Sequence, residues 1–215
     1  MNIQLEQVIP IPLKEKLGKR QSCIWNSTCA LEQKHKTKIK APSGTGKTTL
    51  IHYLYHLRND YEGSITYNNT PVHNLSTEAI ALIRQTQLSV IFQDMRLFPN
   101  LTALENIELK RTMTKPMYTQ GYAIELAQEL GVHHILHQQA SICSYGEQQR
   151  IAIIRALMQP FSMLLMDEPF SHLDHANTTK AASLIAAECS KRNAGFVLTD
   201  LDDDNHFAYT QYLEL

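Results

Sequence analysis

The sequence predicts an α/β fold in which helices cover both faces of a mainly parallel sheet. Short apolar runs alternate along the chain with amphipathic helical patterns, and this alternation is typical of parallel β-α-β units. The apolar runs expected to form strands of this sheet are residues 37–39, 88–92, 163–166 and 196–199. A second feature is the helical pattern from Thr102 to about Leu157, which predicts a helical lobe inserted between two strands.

The residues before the first helix favour strands and loops. The strands expected there are residues 3–8, 24–31 and 37–39. A loop is expected around Pro10, Pro12 and Gly18, because proline and glycine interrupt regular structure. Further along, Glu62-Gly63-Ser64 predicts a turn that leads into a strand at residues 65–67.

Capping residues predict where several helices begin and end. Ser76, Thr102 and Ser144 each precede a helical pattern, and their hydroxyls can accept the free N–H groups of a first turn. Gly131 ends the pattern that begins at Ala123, as expected of a glycine just after a helix. The remaining segments are helices over residues 49–57 and about 176–191, and a short apolar end at 209–215.

Composition limits the classes of protein that this chain can represent. Its 215 residues are 43% hydrophobic, enough for one buried core, so we expect one domain over residues 1–215. A net charge of -1 argues against binding nucleic acid or anionic lipid through a bulk positive field. The four cysteines form no C-x-x-C pair, and no segment matches a signal peptide or a membrane span. We therefore expect a cytoplasmic protein that meets the membrane only through a partner.

One glycine-rich segment between a strand and a helix predicts a phosphate-binding loop. The segment is Ala41-Pro42-Ser43-Gly44-Thr45-Gly46-Lys47-Thr48-Thr49. The two glycines allow the backbone to curl so that successive N–H groups face a phosphate, while Lys47 reaches the β and γ phosphates. The Thr48 hydroxyl suits Mg²⁺. Ala41 stands where the strict pattern has glycine, and a positive φ there would cost on the order of 1 kcal/mol.

Two carboxylates follow the most apolar strand. Asp167 and Glu168 end the run from Met163, and at the carboxyl edge of a parallel sheet they would lie beside the phosphate loop. Asp167 suits the Mg²⁺ shell, and Glu168 is the candidate that orients an attacking water. Together with the loop, this pair predicts a P-loop NTPase.

A third motif identifies the subclass. The segment Cys143-Ser144-Tyr145-Gly146-Glu147-Gln148-Gln149-Arg150 resembles the signature of the ATP-binding cassette family, Leu-Ser-Gly-Gly-Gln-Gln-Gln-Arg. The order of the motifs also matches that family: phosphate loop, Gln93 after a strand, signature, Asp-Glu strand, and a D-loop at Ser171-His172-Leu173-Asp174. The segment from Ile91 to Ile107 looks most like the lipoprotein-release, macrolide-export and cell-division branch.

The resemblance implies an architecture, a reaction and partners. It implies a nucleotide-binding core at residues 1–93 and 158–215, with an antiparallel β subdomain at its N-terminus, and a helical subdomain at about 94–157. Two copies would enclose two ATP molecules, with Mg²⁺ held by Thr48, Gln93 and Asp167. The residues expected to contact the ATP of the opposite protomer are Ser144, Tyr145, Gly146, Glu147 and Asp174. Gln93 would also lie where a transmembrane permease docks, on the cytoplasmic face of the membrane.

The sequence departs from the family at several positions. Asp200 follows Thr199 where the family has a switch histidine, and a carboxylate facing the phosphates would oppose ATP binding and hydrolysis. The family stacks adenine on an aromatic residue ahead of the phosphate loop, but no aromatic residue precedes Trp25 in this chain. Lys38 and Lys40 interrupt what is normally an apolar strand. Tyr145 and Glu147 replace the glycine and glutamine of the signature.

Two functions from different classes follow from these motifs. The first is an ATPase subunit that drives a separate permease through closure of the dimer. The alternative is a cassette with impaired hydrolysis that binds ATP as a regulator or clamp of a membrane or envelope complex, and the missing histidine supports it. A soluble P-loop kinase has no use for the signature and is disfavoured.

Overall fold

Two β-sheets organise the chain in the computed structural model, which describes residues 1–17, 22–113 and 115–215. The strands in chain order are β1 (Asn2–Pro10), β2 (Thr28–Glu32), β3 (Lys36–Lys40), β4 (Tyr61–Tyr67), β5 (Thr70–Pro71), β6 (Leu88–Ile91), β7 (Met163–Asp167), β8 (Gly195–Asp200) and β9 (Gln211–Glu214). One sheet has the order β6-β7-β8-β3-β9 and all its pairings are parallel. The other has the order β2-β1-β4-β5 and is antiparallel. The predicted α/β class and the N-terminal antiparallel part are confirmed.

The helices begin and end largely where the capping residues predict. They are α1 (Lys14–Leu17), α2 (Lys47–Leu54), α3 (Thr77–Thr86), α4 (Ala103–Thr112), α5 (Gln120–Glu129), α6 (Tyr145–Leu157) and α7 (His175–Lys191). Ser76 caps α3, while Thr102 and Ser144 form full capping boxes at α4 and α6. Gly131 follows α5 with a φ of 69°. Among the described ranges, no helix combines the length and the apolar character that crossing a bilayer requires.

Three local predictions were wrong. The strand expected at 24–31 begins only at Thr28, because the Ser22 hydroxyl accepts the N–H groups of Ile24 and Trp25 and turns the chain there. The turn expected at 62–64 lies within β4, where Gly63 has a φ of 91° opposite an irregularity in β1. The helix expected from Thr49 begins two residues earlier, at Lys47. Part of the loop expected around Pro10, Pro12 and Gly18 lies outside the described residues, since Gly18 is not among them.

Strand β7 is apolar because both faces of the parallel sheet are covered. All five of its residues are buried. Leu164 and Met166 pack into the cluster formed with the helical lobe and α7, whereas Met163 and Leu165 pack into the cluster formed with α2 and the antiparallel sheet. A strand buried on both faces needs a continuous apolar run instead of an alternating one.

One buried carboxylate connects α7 to the helical lobe. Glu188 on α7 is fully buried and accepts hydrogen bonds from the hydroxyls of Tyr118 and Tyr122, at 2.8 and 2.6 Å. It also pairs with Lys191 and with the buried Arg192, whose guanidinium donates to the carbonyl of Leu157 at the end of α6. Burial alone would raise the pKa of Glu188, but these hydrogen bonds and the Arg192 charge outweigh it and lower the pKa below its usual value.

We therefore expect Glu188→Ala to destabilise the protein strongly. Removing one partner of a buried ion pair leaves the other charge uncompensated, which costs about 3 to 5 kcal/mol. The matched control is Glu62→Ala, because Glu62 pairs with Lys14 in a half-exposed position, where an ion pair contributes at most about 1 kcal/mol. Urea unfolding measures both changes, and equal losses of stability in the two variants would contradict the structural role given to Glu188.

Candidate functional site

The phosphate loop joins β3 to α2 and depends on two glycines. Gly44 and Gly46 have φ values of 79° and 102°, in the left-handed region that disfavours other residues. A Cβ atom at Gly46 would also lie 2.9 Å from the Leu13 side chain and 3.4 Å from the Trp25 ring. The Trp25 indole N–H donates to the carbonyl of Thr45 at 3.0 Å and so helps to fix the loop. The first free N–H groups of α2 follow directly after the loop.

Ala41 is accommodated without strain. Its φ is not among the positive values, so the cost expected for alanine in place of glycine does not arise. The residue is buried, and its N–H donates to the carbonyl of Asp200 at 3.0 Å. This bond ties the start of the phosphate loop to the end of β8.

Three of the predicted residues meet beside a cavity of ≈ 440 Å³ over the loop. The Lys47 ammonium donates to the carbonyl of Ala41 at 3.0 Å and lies 3.2 Å from a carboxylate oxygen of Glu168. The other Glu168 oxygen accepts a hydrogen bond from the side-chain amide of Gln93 at 2.9 Å. The described residues that line the cavity are Leu13, Ser43, Gly44, Gly46, Lys47, Thr48, Thr49, Gln93, Glu168 and Leu201.

Asp167 has one carboxylate oxygen without a partner. The residue is fully buried, and its Oδ1 atom accepts a hydrogen bond from the Thr199 hydroxyl at 2.8 Å. Its Oδ2 atom is buried and has no hydrogen-bond partner among the described residues. A buried, unpartnered carboxylate oxygen fits a bound cation. Thr48 and Gln93 line the Lys47 cavity and supply further oxygen atoms, and Asp167 directly precedes Glu168 of that lining, so the chemistry of these residues fits Mg²⁺.

The backbone at Glu168 is held in an uncommon conformation from two sides. Its φ is 44°, which is rare for a residue with a side chain. Its N–H donates to the carbonyl of Thr199 at 3.0 Å, and its carbonyl accepts a 3.4 Å hydrogen bond from the side-chain amide of Gln149. The Gln149 oxygen accepts the N–H of His172 at 2.9 Å. The buried Gln149 on α6 therefore connects the signature helix to Glu168 and to the D-loop.

The signature residues do not line the Lys47 cavity. Ser144 caps α6, and its hydroxyl and N–H both bond the Glu147 carboxylate at 2.8 Å. These hydrogen bonds lower the pKa of Glu147. The glutamate at this position is thus explained as the second half of the capping box that starts α6. Tyr145 is 69% exposed, and its ring centroid lies 5.4 Å from that of His172. A Cβ atom at Gly146 would lie 3.0 Å from the carbonyl of His172, so the D-loop packs closely on the signature.

Two further predicted residues do not line the Lys47 cavity. Asp174 caps α7, and its carboxylate accepts the N–H of Asn177 at 2.8 Å. Asp200 lines a neighbouring cavity of ≈ 340 Å³, together with Phe170 and His206. One of its carboxylate oxygens lies 3.6 Å from the Lys38 ammonium. In this structure Leu201 lines the phosphate cavity, whereas the Asp200 side chain lines the neighbouring one.

Several residues of the site were missed from the sequence. The described cavity lining contains Leu13, for which no sequence signal exists. Trp25 lies buried beneath the loop and supports it. Gln149 belongs to the signature and could have been singled out there, since a buried glutamine needs partners. The ion pairs of Lys38 with Asp200 and Asp204 could not be predicted, because these partners are distant from Lys38 in the sequence.

Comparisons with known proteins agree with this geometry. The family model for the ABC transporter matches residues 25–171. The lipoprotein-releasing system ATP-binding protein LolD of Buchnera aphidicola subsp. Schizaphis graminum (strain Sg) is 33% identical over 168 residues, which are 77% of this chain and 73% of LolD.

Solved structures of similar proteins are also ATP-binding cassettes. The dimeric structure of MJ0796, a bacterial ABC transporter cassette, has a TM-score of 0.78 at 25% identity, covering 93% of this chain and 88% of that one. A bacterial Atm1-family ABC exporter with ATP bound shares the fold at 19% identity, with a TM-score of 0.75 over 94% of this chain and 34% of the exporter. The chain therefore belongs to the ABC transporter family, as one of its ATP-binding cassettes.

Proposed function

We propose that this chain is the ATP-hydrolysing subunit of a transporter and that it energises a separate transmembrane permease through ATP-driven closure of a dimer. The observation that carries the proposal is the meeting of Lys47, Glu168 and Gln93 at one cavity, beside the unpartnered oxygen of Asp167. We further propose one domain over residues 1–215, with a nucleotide-binding core at 1–93 and 158–215 and a helical subdomain at about 94–157.

The phosphate loop would bind the phosphates of ATP through Ala41 to Thr49. The left-handed glycines direct backbone N–H groups into the cavity, and the N-terminus of α2 adds a partial positive charge. Lys47 would contact the β and γ phosphates. Thr48, Gln93 and Asp167 would hold Mg²⁺, which neutralises phosphate charge when it is bound.

Glu168 would have two roles. It pairs with Lys47, so phosphates bound at the loop would compete with it for that ammonium. Once released from Lys47, its carboxylate can accept a proton from water and orient that water toward the γ-phosphate. Gln93 already bonds the same carboxylate and would keep it at the cavity.

A second copy of the chain would complete the site. The residues assigned to the opposite ATP are Ser144, Tyr145, Gly146, Glu147 and Asp174, and none of them lines the Lys47 cavity. The dimeric form of the similar MJ0796 cassette supports a homodimer. Likeness to LolD supports a permease partner and a peripheral place on the cytoplasmic face of the membrane. Nucleic acid has no part in this proposal.

One observation favours the alternative, a cassette that acts as an ATP-dependent regulator or clamp with weak hydrolysis. Leu201 lines the phosphate cavity near the position expected for a switch histidine, and His206 packs edge-on against Phe170 in the neighbouring cavity. A leucine cannot donate a hydrogen bond to a γ-phosphate.

The proposal is tested by ATP turnover with Mg²⁺. We expect the wild type to hydrolyse ATP and Glu168→Gln to lose roughly 10²-fold to 10⁴-fold in turnover, because the general base is gone. Glu125→Gln is the control, since Glu125 is exposed on α5.

Two results would favour other functions. A wild type that binds ATP without hydrolysing it, and gains turnover through Leu201→His, would favour the regulator. Turnover that is unaffected by Glu168→Gln would remove the assigned base.

Light scattering in the presence of ATP then measures whether the Glu168→Gln variant forms a dimer.

A further inference from the structure

Strand β3 carries three lysines on one face. Lys36, Lys38 and Lys40 alternate with Thr37 and Ile39, so their side chains leave the same side of the strand. Strand β3 lies between β8 and β9, so it is not an edge strand of the sheet. Lys38 is only 1% exposed. A buried ammonium group must be paired with acceptors, because desolvation without pairing is costly.

The acidic segment that follows β8 provides these acceptors. The Lys38 ammonium bonds the carboxylate of Asp204, and that carboxylate also accepts the Tyr209 hydroxyl at 2.7 Å. Lys40 pairs with Asp203. Burial alone would raise the pKa of Asp204, but the bonds from Lys38 and Tyr209 outweigh it and lower that pKa. Residues 200–204 are therefore fastened over the lysine face as a charged segment.

Asp200 lies where this acidic segment meets the phosphate loop. Its backbone carbonyl accepts the N–H of Ala41, the first residue of the loop. Its side chain, 30% exposed, lines the second cavity, where one carboxylate oxygen accepts the N–H of Leu201 at 2.7 Å and the other lies 3.6 Å from the Lys38 ammonium. The next residue, Leu201, lines the phosphate cavity. The direction of the Asp200 side chain therefore decides whether a negative charge stands beside the ATP phosphates.

We propose that Lys38 is a positioning residue that holds the Asp200 carboxylate in the neighbouring cavity and so keeps an opposing charge away from bound ATP. The inference rests on the proposed function, because it supposes that ATP occupies the Lys47 cavity. It explains how this chain accommodates an aspartate beside its phosphate site. It also gives a role to the one lysine of β3 that is almost fully buried.

The test is a double-mutant cycle on ATP affinity, measured by calorimetry without Mg²⁺ so that hydrolysis does not enter. We expect Lys38→Met to raise the Kd for ATP roughly tenfold, the effect of one like charge at a partly exposed site. The double variant Lys38→Met/Asp200→Asn should bind ATP with the same Kd as the single variant Asp200→Asn. Lys40→Met is the matched control, because Lys40 pairs with Asp203 and should leave the Kd unchanged.

A second pair of variants distinguishes a loss of stability from a loss of Asp200 positioning. Lys38→Met leaves the Asp204 carboxylate without its main partner, so thermal unfolding should show a loss of stability that Asp200→Asn does not repair. Lys38→Met/Asp204→Asn removes both members of that pair, and the weakening of ATP binding should persist in it. If the Kd loss follows the stability loss in every variant, Lys38 is only structural and the inference is overturned.

The outcomes distinguish this inference from the proposed function. A wild type that binds no ATP overturns both. A wild type that binds ATP, with a Kd that Lys38→Met does not change, overturns the inference alone. A Kd that rises in Lys38→Met equally with and without Asp200→Asn also overturns it, because the two residues are then uncoupled.

Discussion

The candidate site depends on one buried cation, the Lys47 ammonium. It stands at the first residue of α2, only 8% exposed, between the carbonyl of Ala41 and the carboxylate of Glu168. A buried ammonium without acceptors is costly, so the loop carbonyl and the strand-end carboxylate must both be present before nucleotide arrives. The positions of β3, β7 and α2 follow from this requirement, since each supplies one of the groups that meet there.

The parallel sheet brings these groups together. The carboxyl ends of β3, β6 and β7 lie at one edge, so Ala41 and Glu168 both reach the Lys47 ammonium, and Gln93 bonds the Glu168 carboxylate. Helix α6 then fixes the exit from β7 through Gln149, while Glu188 fixes α7 to the helical lobe. The signature helix is thus in contact with the backbone of the assigned base within one chain.

Local patterns were predictable from the sequence, whereas long-range pairing was not. Capping boxes and a terminal glycine are short-range devices, and Thr102, Ser144 and Gly131 lie where they were expected. The apolar run of β7 also predicted its burial. The error at Gly63 arose because a glycine signals a turn or a bulge equally well, and only the partner strand β1 distinguishes them.

The charges around Asp200 show the limit of reasoning from sequence. Lys38 and the acidic segment were both visible as departures from the family pattern, but 166 positions separate Lys38 from Asp204. Pairing across that distance depends on the sheet order, in which β3 lies next to β8. The Asp200 carboxylate accepts the N–H of Leu201 at 2.7 Å and lies 3.6 Å from the Lys38 ammonium, and the second of these contacts has no local sequence signal.

The central claim is that Glu168 and the phosphates of ATP compete for the Lys47 ammonium. The most direct measurement is the Kd for ATP without Mg²⁺, compared between the wild type and Glu168→Gln by the fluorescence of Trp25, the single tryptophan, which supports the loop. Glutamine cannot form the ion pair, so the variant should bind ATP roughly fivefold more tightly, equivalent to about 1 kcal/mol. Equal or weaker binding by Glu168→Gln would contradict the account.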